Sequence, residues 1–294
     1  MSLKGLGVAM ITPFKNNEVD FQAIEQLVEY QIENHTDFLV LMGTTGEYPT
    51  LNHPEVKSVV ERMKSANRNR LPLVIGAAGN NTKEVVDKLT HLNLDDISAV
   101  MLTSPHYNKP SQEGIYQHYK QIAEAITIPL IVYNVPSRTG VNILPETFFR
   151  LCETCSNIRM IKEAAGDYIQ AQELIYRAPQ EVKIFSGDDH IALAMIFAGA
   201  VGTISVLGNA FPKKMSQMIS FAAAENYQKA NQIQAQLLTL MDLIFKEGNP
   251  TSVKALMELL NLCSKEVRLP LVEATDELVN AFKIELNRYK ENGN

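Results

Sequence analysis

The sequence predicts an α/β fold, a single (β/α)8 TIM barrel with a C-terminal helical appendage, and three observations predict it. Eight short apolar runs alternate with amphipathic stretches through the first three quarters of the chain. The runs are apolar throughout, as parallel strands covered on both faces must be, and eight such units favour closure over an open doubly wound sheet. After about residue 224 only helical periodicity continues. The expected division is therefore a barrel over residues 1–224 and a helical domain over 225–294.

The strand candidates, in order, are GVAMI (7–11), DFLVLM (37–42), LPLVIGA (71–77), SAVML (98–102), IPLIVYN (128–134), NIRMIKE (157–163), EVKIFSG (181–187) and GTISV (202–206). Between them the spacing is helical: Phe21, Ile24, Leu27, Val28 and Ile32 fall on one face, as do Val56, Val59, Val60 and Met63. In the last quarter Ile233, Leu237, Leu240 and Ile244, then Val253 to Leu262, then Leu278, Phe282, Leu286 and Tyr289 predict three helices. GNP at 248–250 and RLP at 268–270 interrupt them.

The bulk numbers bound the function. With 294 residues, 46% hydrophobic, the chain can bury a large core of one barrel's size. A formal charge of -6 with dispersed Lys and Arg gives no footprint for nucleic acid, so small molecules are the expected partners. His190 to Pro212 lacks charged residues, but its glycines and polar residues predict a buried helix followed by a buried strand, not a membrane span. The N-terminus reads as a first strand, not a signal peptide. Cys152, Cys155 and Cys263 form no even framework, which points to a cytoplasmic setting. The CxxC of Cys152 and Cys155 has no second half, so two semi-buried cysteines at a helix end are expected. No GxGxxG or GxxxxGK[ST] cradle for phosphate is present.

In such barrels the reactive groups lie at the C-terminal ends of the strands. Those ends read GTTGE (43–47), SPHYNKPSQEG (104–114), YNVPSRTG (133–140), KEAAGD (162–167) and SGDD (186–189). Lys162 follows Ile158, Met160 and Ile161, which puts an amine at an apolar rim. A free lysine is neutral in only about one molecule in 2,500 at pH 7, and only the neutral amine attacks a carbonyl; burial raises that fraction. Tyr133 ends the preceding strand and can serve as the proton shuttle of Schiff-base formation. Thr44 and Thr45 can relay protons or bind a carboxylate through hydroxyls and loop N–H groups. Arg138 has the donor fork that grips a carboxylate. Asp188, Asp189 and His190 precede IALAMIFA and read as helix-capping residues, not metal ligands. An amine nucleophile requires no metal.

At these motifs the chain resembles the dihydrodipicolinate synthase and N-acetylneuraminate lyase superfamily, and within it the dihydrodipicolinate synthases. The likeness runs from GVAMITPF to RLPLVEATDE, with the motifs in the family's order. It implies that pyruvate forms a Schiff base with Lys162, without further cofactor, and that its enamine attacks L-aspartate 4-semialdehyde on the route to diaminopimelate and lysine. It implies a proton relay of Tyr133, Thr45 and Tyr107, with Tyr107 supplied across a dimer interface and Thr44 joining the network. It further implies that Arg138 binds the semialdehyde carboxylate, that Gly187 and Ile204 line the pocket, and that the assembly is a homotetramer.

Arg138 favours the synthase over sialic-acid lyases and sugar-acid aldolases, which carry a different loop after the tyrosine. Leu207 and Gly208 replace the small pair usual before Asn209, and Tyr48 stands where Ser is common, so the pocket wall is expected to differ. His53, Asn80 and Glu84 match the family's lysine feedback site, while His106 and Val56 depart from it; reduced sensitivity to lysine is the expectation. The alternatives are a sister pyruvate-dependent aldolase and a barrel that binds small molecules without catalysis.

Overall fold

The computed structural model describes residues 3–291. The eight long strands are β1 (Gly5–Ala9), β2 (Phe38–Leu41), β3 (Leu73–Ala77), β4 (Ile97–Thr103), β5 (Leu130–Asn134), β6 (Ile158–Glu163), β7 (Lys183–Ser186) and β8 (Gly202–Ser205). They form one closed barrel in the order β1-β8-β7-β6-β5-β4-β3-β2. Each predicted apolar run overlaps one of them, as the fold class required. The helices that follow are α1 (Phe21–Glu33), α2 (His53–Asn67), α3 (Thr82–His91), α4 (Gln112–Ala125), α5 (Pro145–Thr154), α6 (Tyr168–Arg177), α7 (Ala192–Ala198) and α8 (Pro212–Ala223). Three more succeed them, α9 (Tyr227–Leu243), α10 (Thr251–Leu259) and α11 (Asp276–Glu291).

The chain divides into two compact units. In the first, Pro72–Ile204, strands β3 to β7 pair in parallel with their neighbours. Apolar residues from these strands, among them Val74, Val100, Leu130, Ile131 and Ile161, are buried. The strand-end loops end in capping residues that start the next helix. Asn81 accepts from Lys83 N, Ser111 from Gly114 N, and Asp167 from Ile169 and Gln170 N. These caps convert the polar strand ends into fixed helix entries. The segment 190–212 folds as α7, β8 and a 3-10 turn, Leu207–Asn209. Among the described residues no helix is long and apolar enough to cross a membrane.

The segment before α7 departs from the sequence expectation. Asp188, Asp189 and His190 do not cap α7, whose N-cap is Ile191 without a side-chain bond. Asp188 instead accepts from the His190 N–H at 2.9 Å, closing the turn one step before the helix. A turn intervenes between the acidic pair and the first helical residue, so the capping geometry is spent locally.

The second unit comprises Gly5–Leu71 and Ser205–Asn294. Here β1 pairs in parallel with β2, and a two-stranded antiparallel ribbon, Phe14–Lys15 with Glu18–Val19, extends the chain after β1. Helix α1 buries Ala23, Ile24, Leu27, Val28 and Gln31, close to the predicted stripe. Buried Gln31 is satisfied by Gly208 O and the Thr36 hydroxyl. Asn209 ties the start of the unit to its later part, accepting from Ile11 N and donating to Ala9 O. Helix α8 packs against β1 and α9, and α9 packs against α11.

Candidate active site

In the first unit the site is built on the ends of β5, β6 and β7. Register pairs Tyr133 with Lys162 and Lys162 with Phe185. Lys162 is 4% exposed, and its Nζ stands 4.4 Å from the centroid of the Tyr133 ring. An ammonium over an aromatic face is attracted by the ring, and the same residue offers a phenol for proton transfer. Gly187 clears the space: a Cβ at that position would lie 2.8 Å from Lys162 Cε and 2.6 Å from Ala164 Cβ. Glycine is required by the lysine's path, not by backbone conformation.

Strand alternation turns the next residues to the opposite face. Asn134 and Glu163 are register partners there, and the Asn134 amide donates to both Glu163 oxygens at 3.2 and 3.0 Å. Gln170 Nε2 and Ala165 N also donate to that carboxylate, at 3.1 and 2.7 Å. Burial raises the Glu163 carboxyl above its ordinary range, against these bonds. The cluster clamps together the two strands that carry Tyr133 and Lys162.

Arg138 sits in a four-residue helical turn, Pro136–Thr139, and is exposed. Tyr107 is 89% exposed and has a left-handed backbone, φ 68°. Such a conformation is uncommon for a bulky residue. Ile204 is fully buried in β8. Asn80, Glu84 and His106 are all exposed, and Asn80 accepts from the His106 N–H at 2.9 Å.

In the second unit GTTGE forms a closed loop after β2. Gly46 N and Glu47 N donate to Gly43 O and Thr44 O, and the Thr12 hydroxyl donates to Gly46 O at 2.7 Å. Thr44 is half-buried, whereas Thr45 is 2% exposed and its Oγ1 accepts from Asn249 Nδ2 at 3.0 Å. Glu47 pairs with Lys254, and both side chains are buried. Its second oxygen accepts from Arg268 N at 3.1 Å. Tyr48 is half-buried, His53 is exposed at the first turn of α2, and half-buried Val56 follows it. At the departure before Asn209, Leu207 and Gly208 are buried, and a Cβ on Gly208 would lie 2.8 Å from Val8 Cγ2. Gly208 thus matches the close approach of β1.

The cysteine pair is as expected: Cys152 and Cys155 are free and buried at the end of α5, and burial pushes the Cys152 thiol up to about 12. Thiolate chemistry is suppressed there. Asn249, Lys254, Asn134 and Glu163 escape a motif-based reading. Asn134 and Glu163 had a local signal, each following a site residue on its strand, but Asn249 looks like a helix interruption within GNP.

A model of the dihydrodipicolinate synthetase family matches residues 2–288. A protein of Flavobacterium psychrophilum named 4-hydroxy-tetrahydrodipicolinate synthase is 47% identical, over 95% of this chain and 96% of its own. One of Parabacteroides distasonis with the same name is 45% identical, covering 92% of each. A solved dihydrodipicolinate synthase of Acinetobacter baumannii, chloride-inhibited and complexed with pyruvate, superimposes with a TM-score of 0.94 at 38% identity. That superposition covers 98% of this chain and 99% of the other.

Proposed function

The chain belongs to the dihydrodipicolinate synthetase family, and on that premise we propose how its residues perform the synthase reaction. The reaction condenses pyruvate with L-aspartate 4-semialdehyde. The Lys162 amine attacks C2 of pyruvate, and loss of water leaves an imine. Loss of a C3 proton gives the enamine, whose C3 bonds to the aldehyde carbon of the semialdehyde. The semialdehyde's amine then closes on C2 and frees Lys162. Protein groups alone supply the nucleophile and the protons.

Tyr133 is the proposed shuttle, giving and taking the protons of carbinolamine dehydration. Thr45 and Thr44 extend the hydroxyl network, and Thr45 also binds the keto-acid carboxylate. Tyr107 is the relay member that a second copy supplies; its exposure and left-handed backbone support a role outside its own unit. Arg138 grips the semialdehyde carboxylate, and Gly187 and Ile204 line the pocket. The catalytic barrel is taken as 1–224 with 225–294 as its helical appendage, and the assembly as a cytoplasmic homotetramer. For the feedback positions His53, Asn80, Glu84 and His106, each exposed, we propose reduced sensitivity to lysine.

The observation that carries the reading is Lys162, buried over the Tyr133 ring in the gap left by Gly187. Borohydride reduction with pyruvate, followed by peptide mass analysis, tests it. A reduced adduct on the Lys162 peptide is expected. No adduct, or one on another lysine, overturns the mechanism.

A further inference from the structure

We infer that Asn249 is a positioning residue that presets the Thr45 hydroxyl as a hydrogen-bond donor toward the carboxylate of the keto-acid substrate. The inference rests on the proposed substrate-binding role of Thr45. A threonine hydroxyl has one proton and two acceptor sites. The Asn249 amide donates into Oγ1 at 3.0 Å, so one acceptor site is filled and the hydroxyl proton must point elsewhere. A buried hydroxyl whose proton is kept available suits an anionic oxygen, because hydrogen bonds to charge are the strong ones.

The surroundings fix this arrangement. Thr45 is 2% exposed and Asn249 8%, so water has little access to either. The loop itself cannot swing: Thr12 bonds to Gly46 O, and the Glu47 carboxylate is held by Lys254 and by Arg268 N. Lys254 lies in α10, which begins two residues after Asn249, so one short segment supplies both the loop's anchor and the amide. With the loop anchored independently, the amide's bond to Oγ1 acts on the direction of that hydroxyl.

Pyruvate KM, semialdehyde KM and kcat of Asn249→Ala, Asn249→Asp and Thr45→Val separate this role from simple bracing. Asn249→Ala is expected to raise pyruvate KM about tenfold, the worth of one charge-assisted bond, with a far smaller effect on the semialdehyde. Asn249→Asp is expected to be worse at about pH 8, where its carboxylate captures the Thr45 proton, and to recover as pH falls below about 5.5, since burial at position 249 lifts the carboxyl above its ordinary range and protonation restores a donor. Should Asn249→Ala fail to fold, the isosteric Asn249→Asp carries the test. An Asn249→Asp enzyme with parental pyruvate KM at about pH 8 would mean the amide accepts from Thr45, which overturns the inference. So would equal losses in both variants that do not change with pH. If Thr45→Val impairs pyruvate use and the Asn249 variants do not, this inference alone fails. If Thr45→Val leaves pyruvate KM unchanged, the role of Thr45 itself is wrong.

Discussion

Lys162 owes its usefulness to a residue without a side chain. Gly187 lies where any Cβ would press on Ala164 Cβ at 2.6 Å and on Lys162 Cε at 2.8 Å, and the second of these contacts is with the reacting side chain itself. Because the backbone of Gly187 is not left-handed, alanine can adopt its conformation. The cost therefore falls on where the amine stands. Gly187→Ala is expected to slow imine formation with pyruvate about a hundredfold, the usual penalty for a displacement near 1 Å at a reacting group. Rapid borohydride quenching of a single turnover measures this directly. A trapping rate within twofold of the parent enzyme would show that Lys162 tolerates the crowding.

Elements are where the sequence was most legible. Continuous apolar runs such as LPLVIGA and IPLIVYN read as strands covered on both faces, whereas the one helix start read from capping residues, at Asp188 to His190, is not a cap. The spacing was blind to how helices are joined laterally. His118 of α4 is an example: its Nδ1 lies 2.8 Å from the Thr82 hydroxyl of α3, and its Nε2 is buried without a bond. Burial lowers His118 to about 4. The fold thus favours neutral imidazole, whereas the unfolded chain gains a proton below about 6.5. Since the folded value is the lower one, this contribution is intact above pH 6.5 and is lost as pH falls toward 4. Acidification from about pH 7 to 4 is expected to take about 3 kcal/mol from stability through this residue. His118→Gln keeps a partner for Thr82 and does not titrate, so its denaturant-derived stability should fall less steeply over that range. Identical slopes for variant and parent would assign the acid sensitivity to other groups.

At the scale of the whole molecule, bonds between distant parts of the chain do what local pattern cannot announce. Thr45 meets Asn249 across 204 positions, Glu47 meets Lys254 across 207, and Glu47 accepts from Arg268 N across 221. GTTGE was recognisable as a strand-end loop, and its threonines as candidates, from their spacing alone. That its glutamate faces a buried lysine from the C-terminal helices was not, because no period links residues so far apart. Arg268 widens the junction, donating to Asn17 O, Thr50 O and both oxygens of Glu55. Within the unit formed by Gly5–Leu71 and Ser205–Asn294, the helical appendage is thereby a brace for the loop after β2. Lys254 and Glu47 are fully buried, so removing one partner strands the other charge. Lys254→Met is expected to cost about 3–5 kcal/mol of unfolding free energy. Adding Glu47→Gln removes the stranded charge and leaves an acceptor for Arg268 N. The double variant should therefore be more stable than Lys254→Met alone, by chemical denaturation of all four forms. Additive losses would mean that the two side chains act independently and that the appendage braces the loop by packing alone.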